Sequence, residues 1–249
     1  EYAIHCITDE EGRIVMYEGV LPFMVNYYIW QAMLYADKGS YDGAEDYFDN
    51  ARNLMKAADK IEGADADTLR EMQMLLWYHV GVMETLRNKN DEAKAAFLKG
   101  YDLCLELVEE GKSMKARSYL ANFLYYFGLI AYENDDEEDA RLFCERALEA
   151  SERMQKRTIS VQVVLLRCRV YTLLIQMEKR TAGIRAAREW RAYQLDEVQR
   201  LESATDSHEV YMALINGGIA CNINAVLISS LFYNKLDAVV FALYLDFVE

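Results

Sequence analysis

Histidines, cysteines and clustered acids are the side chains of this 249-residue chain that could do chemistry, and their spacing decides what they can do. His5, His79 and His208 are far apart, and no H-E-x-x-H or paired Cys/His spacing joins them, so neither a metal site nor a catalytic histidine is expected. The cysteines at 6, 104, 144, 168 and 221 form no C-x-x-C pair, and four of them sit among apolar residues at helical positions. They read as buried thiols of a reducing, cytoplasmic setting. Gly111-Lys112-Ser113 has the end of a phosphate-binding loop, but Glu106 stands where the upstream glycine is required, which leaves a turn. Asp135-Asp136 could serve acid/base or calcium chemistry only in a cleft. At a helix start they read as a solvated cap matched to the helix dipole. No cofactor is implied, and the chain is not expected to be an enzyme.

Charge narrows the partners. The sum is −14, which argues against nucleic acid because phosphate binding needs a positive surface. Within it, Arg153 to Arg191 holds ten Lys/Arg and two acids, a local +8, so the remainder carries −22. Arg167, Arg169, Arg185, Arg188 and Arg191 are therefore a candidate basic docking face for an acidic partner, including the protein's own acidic half. The alternative is a basic surface that balances the acid-rich helix before it through exposed pairs. Trp190 and Tyr193 could add a nucleic-acid face, against the overall charge. The run Val210 to Asn234 has 25 uncharged positions, enough to cross a bilayer, but Asn216, Asn222, Asn224 and Gly217-Gly218 argue against a membrane span.

These residues must be positioned by helices. One proline and 12 glycines among many Ala, Leu, Glu, Met and Arg residues predict an all-α fold. Residues 1–20 differ: Ile4, Cys6, Ile14 and Met16 alternate around Asp9-Glu10-Glu11-Gly12, which predicts a short β-hairpin or extended segment. The chain starts at Glu1 rather than methionine, which fits a fragment or a processed product. From there to 249 the spacing predicts one helical domain of about five antiparallel pairs, over residues 22–60, 67–110, 113–155, 158–204 and 207–249. Pro22 suits a first helical turn, and Asp67 is the expected cap of the third helix.

The second helices repeat a pattern: a small residue, a large one four further on, and a small one three beyond that. Ala44-Phe48-Ala51 and Ala93-Phe97-Gly100 fit it; Ala140-Cys144-Ala147 puts cysteine in the large position; Ala186-Trp190-Tyr193 and Ala238-Ala242-Leu245 are degenerate. The first helices place Tyr28-Ala32-Tyr35, Trp77-Gly81 and Leu124-Gly128 at the matching offset. The pattern resembles the tetratricopeptide repeat, which implies a right-handed superhelical solenoid of helix pairs. Aligned on those alanines, units begin 49, 47, 46 and 52 residues apart, so the helices are longer than the family's 34-residue unit allows.

The resemblance implies a concave groove lined by first helices that binds a peptide or protein segment. About 130° round from the signature stripe, at 100° per residue, lie Asn26, Ile29 and Met33, then Tyr78 and Val82, then Asn122, Tyr125, Leu129 and Tyr132, then Tyr171. Such a groove is aromatic and apolar with amides, suited to an apolar or amphipathic segment. Tyr78, Tyr125 and Tyr171 should then be partly exposed, and Trp77 should be core. The function implied is a non-enzymatic scaffold or adaptor module. The alternative is the sensory or regulatory region of a larger signalling protein, such as a bacterial kinase or transcription regulator. The last helix, apolar nearly all round, is expected to self-associate or to have a partner.

Overall fold

The computed structural model describes residues 20–58, 65–155 and 161–204, all as helices and the turns between them. The predicted hairpin, the fifth pair, the apolar last helix and the uncharged run lie outside the described residues. Eight helices are described: α1 Val20–Asp37, α2 Tyr41–Ala58, α3 Ala66–Leu86, α4 Asn90–Glu109, α5 Met114–Glu133, α6 Glu137–Gln155, α7 Val161–Thr181 and α8 Ile184–Ala204. No described helix is long and apolar enough to cross a membrane.

Turn chemistry makes the pairs. After α1, α3, α4 and α5 one residue takes a left-handed conformation, at Gly39, Asn88, Gly111 and Asp135. Each donates its N–H three residues back, and its successor donates five back, as in Gly39 to Ala36 at 2.8 Å and Ser40 to Tyr35 at 2.9 Å. This closure satisfies the last carbonyls and reverses the chain within three residues, so the next helix must run antiparallel. The acid pair is absorbed here: Asp135 is the left-handed residue, and Asp136 caps α6 by accepting from Asp139 N–H at 3.1 Å. Ser113 likewise caps α5 through Ala116 N–H at 3.0 Å, so Gly111-Lys112-Ser113 is a turn and cap. The cap of α3 is Asp65, which accepts from Asp67 N–H at 3.1 Å; the expected Asp67 lies one step inside the helix and pairs with Arg70 instead.

The chain divides into two compact units, Glu1–Phe123 and Leu124–Glu249. In the first, α1 pairs with α2 and α3 with α4, and α3 also packs on α1 and α2. Ala44, Phe48, Ala51, Ala93 and Phe97 are fully buried. The small positions exist for the rings: a Cβ on Gly81 would stand 2.5 Å from Phe97 Cε1, and one on Gly100 2.8 Å from Phe123 Cζ. Helices approach closely because nothing occupies those two places. Tyr78, Phe97, Tyr119 and Phe123 form an edge-to-face cluster with centroids 4.8 Å (Tyr78–Tyr119) to 6.2 Å (Phe97–Phe123) apart.

In the second unit Gly128 faces Ala140 O and Cys144 Sγ, both 3.3 Å from where its Cβ would be. Cys144 is fully buried, and burial pushes its thiol up to about 12, as it does Cys104 in the first unit. Both thiols are packing groups. Helix α7 then packs on α6 and α8.

Candidate binding site

The residues expected to line a groove divide sharply. In the first unit Ile29 and Tyr78 are buried, while Asn26, Met33, Val82 and Asn122 are half-buried. Tyr78 belongs to the aromatic cluster and Asn122 bonds its own helix, Nδ2 donating to Ser118 O at 3.1 Å. The expectation that Tyr78 is an exposed anchor is corrected: its ring is core, held by Tyr119 and Phe123. Trp77 is corrected the opposite way. It is half-buried, with Lys99 Nζ 4.3 Å and Arg52 Cζ 5.6 Å from its ring centroid, a cation-flanked surface aromatic. In the second unit Tyr125, Leu129 and Tyr132 are all half-buried on one face of α5.

Tyr171 is buried, and the reason is a register error of one residue in the fourth pair. Ala186 and Tyr193 are exposed; Ala187 and Gln194 are fully buried. Units therefore recur at 47 residues from Ala93 through Ala140 to Ala187, and the signature of α8 is Ala187-Arg191-Gln194, with Ala187 and Gln194 fully buried and Arg191 half-buried. Tyr193, bulky where a small residue was wanted, was the signal. The same shift moves the half-buried stripe of α7 from Cys168-Tyr171-Ile175 to Arg169-Thr172-Gln176.

A polar core follows from that register. Gln194 donates from Nε2 to Cys168 O at 2.9 Å and to Thr172 Oγ1 at 2.8 Å, while its Oε1 accepts from Arg191 at 2.6 Å. Beside it Arg167 donates to Glu197 Oε1 at 2.6 Å, Ser151 Oγ at 3.0 Å, Leu148 O at 3.3 Å and Tyr171 Oη at 2.9 Å. Glu197 is buried and Arg167 half-buried, which is tolerated because nearly every donor has an acceptor.

No family model matches the chain, and no curated protein matches it significantly.

Arg167 is also the inner end of a cleft of about 660 Å³ between α6, α7 and α8. Tyr171, Trp190 and Tyr193 form its aromatic wall: Tyr171 lies 6.2 Å from each of the other two rings, tilted by 30° and 25° respectively. Glu152, Glu178 and Glu189 bring carboxylates to its sides. Of the five arginines of the expected docking face, only Arg185 and Arg188 are exposed. Arg167 and Arg191 are spent on Glu197 and Gln194, so the patch of positive charge read from the sequence is partly interior. Among the described residues no group of three or more His, Cys, Asp or Glu could hold a metal.

One further surface was not anticipated. Phe23, Tyr27, Trp30 and Leu34 are exposed along one face of α1, Trp30 at 71%. They stand at the i, i+4, i+7, i+11 spacing of a single stripe.

Proposed function

We propose that this chain is a non-enzymatic binding module, a tetratricopeptide-like solenoid that holds an apolar or amphipathic partner segment on the free face of its first helices. The observation that carries this is the half-buried stripe Tyr125, Leu129 and Tyr132 on α5, where large amphipathic side chains keep contact with water on one face of a pair whose other face is fully packed. Tyrosine suits such a surface because its ring gives contact area and its hydroxyl stays solvated. The equivalent positions of α7 are polar, with Arg169 among them, and Arg169 Nε is buried without a hydrogen-bond acceptor. A partner would thus meet tyrosine rings and Leu129 from α5 and the half-buried polar side chains Arg169, Thr172 and Gln176 from α7.

The test begins with isolation of a partner by pull-down and mass spectrometry, followed by titration. Tyr125→Ala should weaken binding by about 2 kcal/mol, the scale of an interface hot spot, with a much smaller loss of thermal stability than a core aromatic gives. If Tyr125→Ala instead melts the protein as severely as Phe97→Ala and binding to the folded remainder is unchanged, the stripe is ordinary packing.

A further inference from the structure

The cleft over α7 is a second surface, distinct from the α5 stripe. At 100° per residue, Arg167, Tyr171 and Glu178 lie within about 40° of one another, and their centre is about 150° from that of Arg169, Thr172 and Gln176. The two faces of α7 are therefore on opposite sides of that helix.

The chemistry of the cleft is lopsided. Among the described residues that line it, Arg167 is the only cation, and Glu197 already neutralises it at 2.6 Å. Glu178 is answered by Arg141 at 2.7 Å. Glu152 and Glu189 remain, both exposed, and Glu189 accepts only the Tyr193 hydroxyl at 3.3 Å. Two carboxylates thus line the cleft together with Trp190, half-buried, Tyr193, exposed, and the buried Tyr171. Aromatic faces attract cations through the ring quadrupole, and a nearby carboxylate adds a charge-assisted hydrogen bond. An anion would meet like charge there, and a neutral apolar group would leave the carboxylates to be desolvated without return.

We propose that this cleft receives the cationic side chain, lysine or arginine, of a bound polypeptide, with the Trp190 and Tyr193 rings against its alkyl stem and charge, and Glu152 and Glu189 as acceptors. The cleft is open to solvent, whereas sites for free small molecules bury most of the ligand. The cation is therefore one carried by a chain that makes further contacts outside the cleft.

The probes are Nα-acetyl-lysine methylamide, its arginine counterpart, the uncharged norleucine analogue, and a lysine-bearing hexapeptide. Binding is followed by amide chemical-shift perturbation and by Trp190 emission in a Trp30→Phe/Trp77→Phe background at constant ionic strength. The lysine and arginine probes should bind weakly, in the millimolar range, with shifts centred on α8. The hexapeptide should bind at least tenfold tighter than the single residue, and the norleucine analogue at least tenfold weaker. Glu152→Gln/Glu189→Gln should lower lysine affinity about tenfold at an unchanged melting temperature, since both side chains are exposed. Equal binding of norleucine and lysine, full binding by the double variant, or no shift with any cationic probe would each overturn the proposal. A single residue that binds as tightly as the hexapeptide would overturn the polypeptide origin of the cation. Neither result bears on Tyr125, which does not line the cleft.

Discussion

The seam between α3 and α4 and the seam between α7 and α8 occupy the same register of the repeat, and they are filled with opposite chemistry. Gly81, Phe97 and Gly100 in the first become Ile175, Arg191 and Gln194 in the second, each 94 residues on. The first seam is closed by rings pressed into places left by glycine. The second has no such place, since Ile175 is itself buried, and it is closed by a glutamine and an ion pair. The first seam sets its register by shape, since the rings fit only opposite glycines; the second sets it by direction, through hydrogen bonds to Cys168 O and Thr172 Oγ1. A pair that has lost its small residues can keep the repeat geometry only by such directional bonds.

The contrast can be broken most forcefully at its two centres. Phe97→Ala should lose about 3–5 kcal/mol, because the fully buried ring leaves a cavity against the backbone of Gly81. Glu197→Ala should lose about 3 kcal/mol for another reason, by leaving the half-buried Arg167 guanidinium without its carboxylate. The two losses separate in the rescue. Arg167→Met together with Glu197→Leu should recover most of the loss in chemical denaturation, since apolar residues of similar volume often replace a buried pair without cost. The Phe97 loss leaves no charge to relieve, and only apolar volume restored from a neighbouring position such as Gly81 would offset it. A single Glu197→Ala loss below about 1 kcal/mol would show that the pair is solvated and the contrast overstated.

Helix bounds were legible because their causes are local. Gly39, Asn134-Asp135-Asp136 and Gly111-Lys112-Ser113 announce turns in the residues themselves, and the structure turns there. The third-helix cap was misplaced by two residues because Asp65 and Asp67 are chemically alike, and only the hydrogen bond tells them apart. Exposure was less legible. Tyr78 and Tyr125 are both tyrosines at one register position, yet Tyr78 is buried by Tyr119 and Phe123, which are 41 and 45 residues away in sequence. The cleft could not be read because its aromatic wall joins Tyr171 to Trp190 and Tyr193 across a helix pair whose register was one residue off.

The units should also differ in acid. In the first, His79 is half-buried against Tyr78, and loss of water holds its imidazole down to about 4 from 6.5. A base whose folded pKa is depressed is protonated first in the unfolded chain, so stability is full above pH 6.5 and falls as the pH drops towards 4. Allowing for its partial exposure, the loss over that window is about 2 kcal/mol. Glu110, held down to about 2 chiefly by Arg70 and then Lys112, adds stability above its ordinary carboxylate range, lost only as pH falls from there towards 2. Trp77 emission should therefore report a first-unit transition at lower urea at pH 5 than at pH 7, and His79→Gln should flatten that shift. An identical shift in the His79→Gln protein would assign the acid sensitivity elsewhere.

The smallest effect is expected at the largest exposed ring. Trp30 keeps 71% of its surface in water and stands in the stripe with Phe23, Tyr27 and Leu34, while the opposite side of α1 buries Val25, Ile29, Ala32 and Ala36. Truncation there removes little buried area, so Trp30→Ser should change stability by no more than about 0.5 kcal/mol, although the same residue type in a core would cost several. Serine also lowers the apolar character of a continuous surface, so light scattering at high protein concentration should fall or stay level. A loss above about 2 kcal/mol would mean that the ring is covered in solution, by the chain or by a second copy. Dilution separates these, since only a loss caused by a second copy depends on protein concentration.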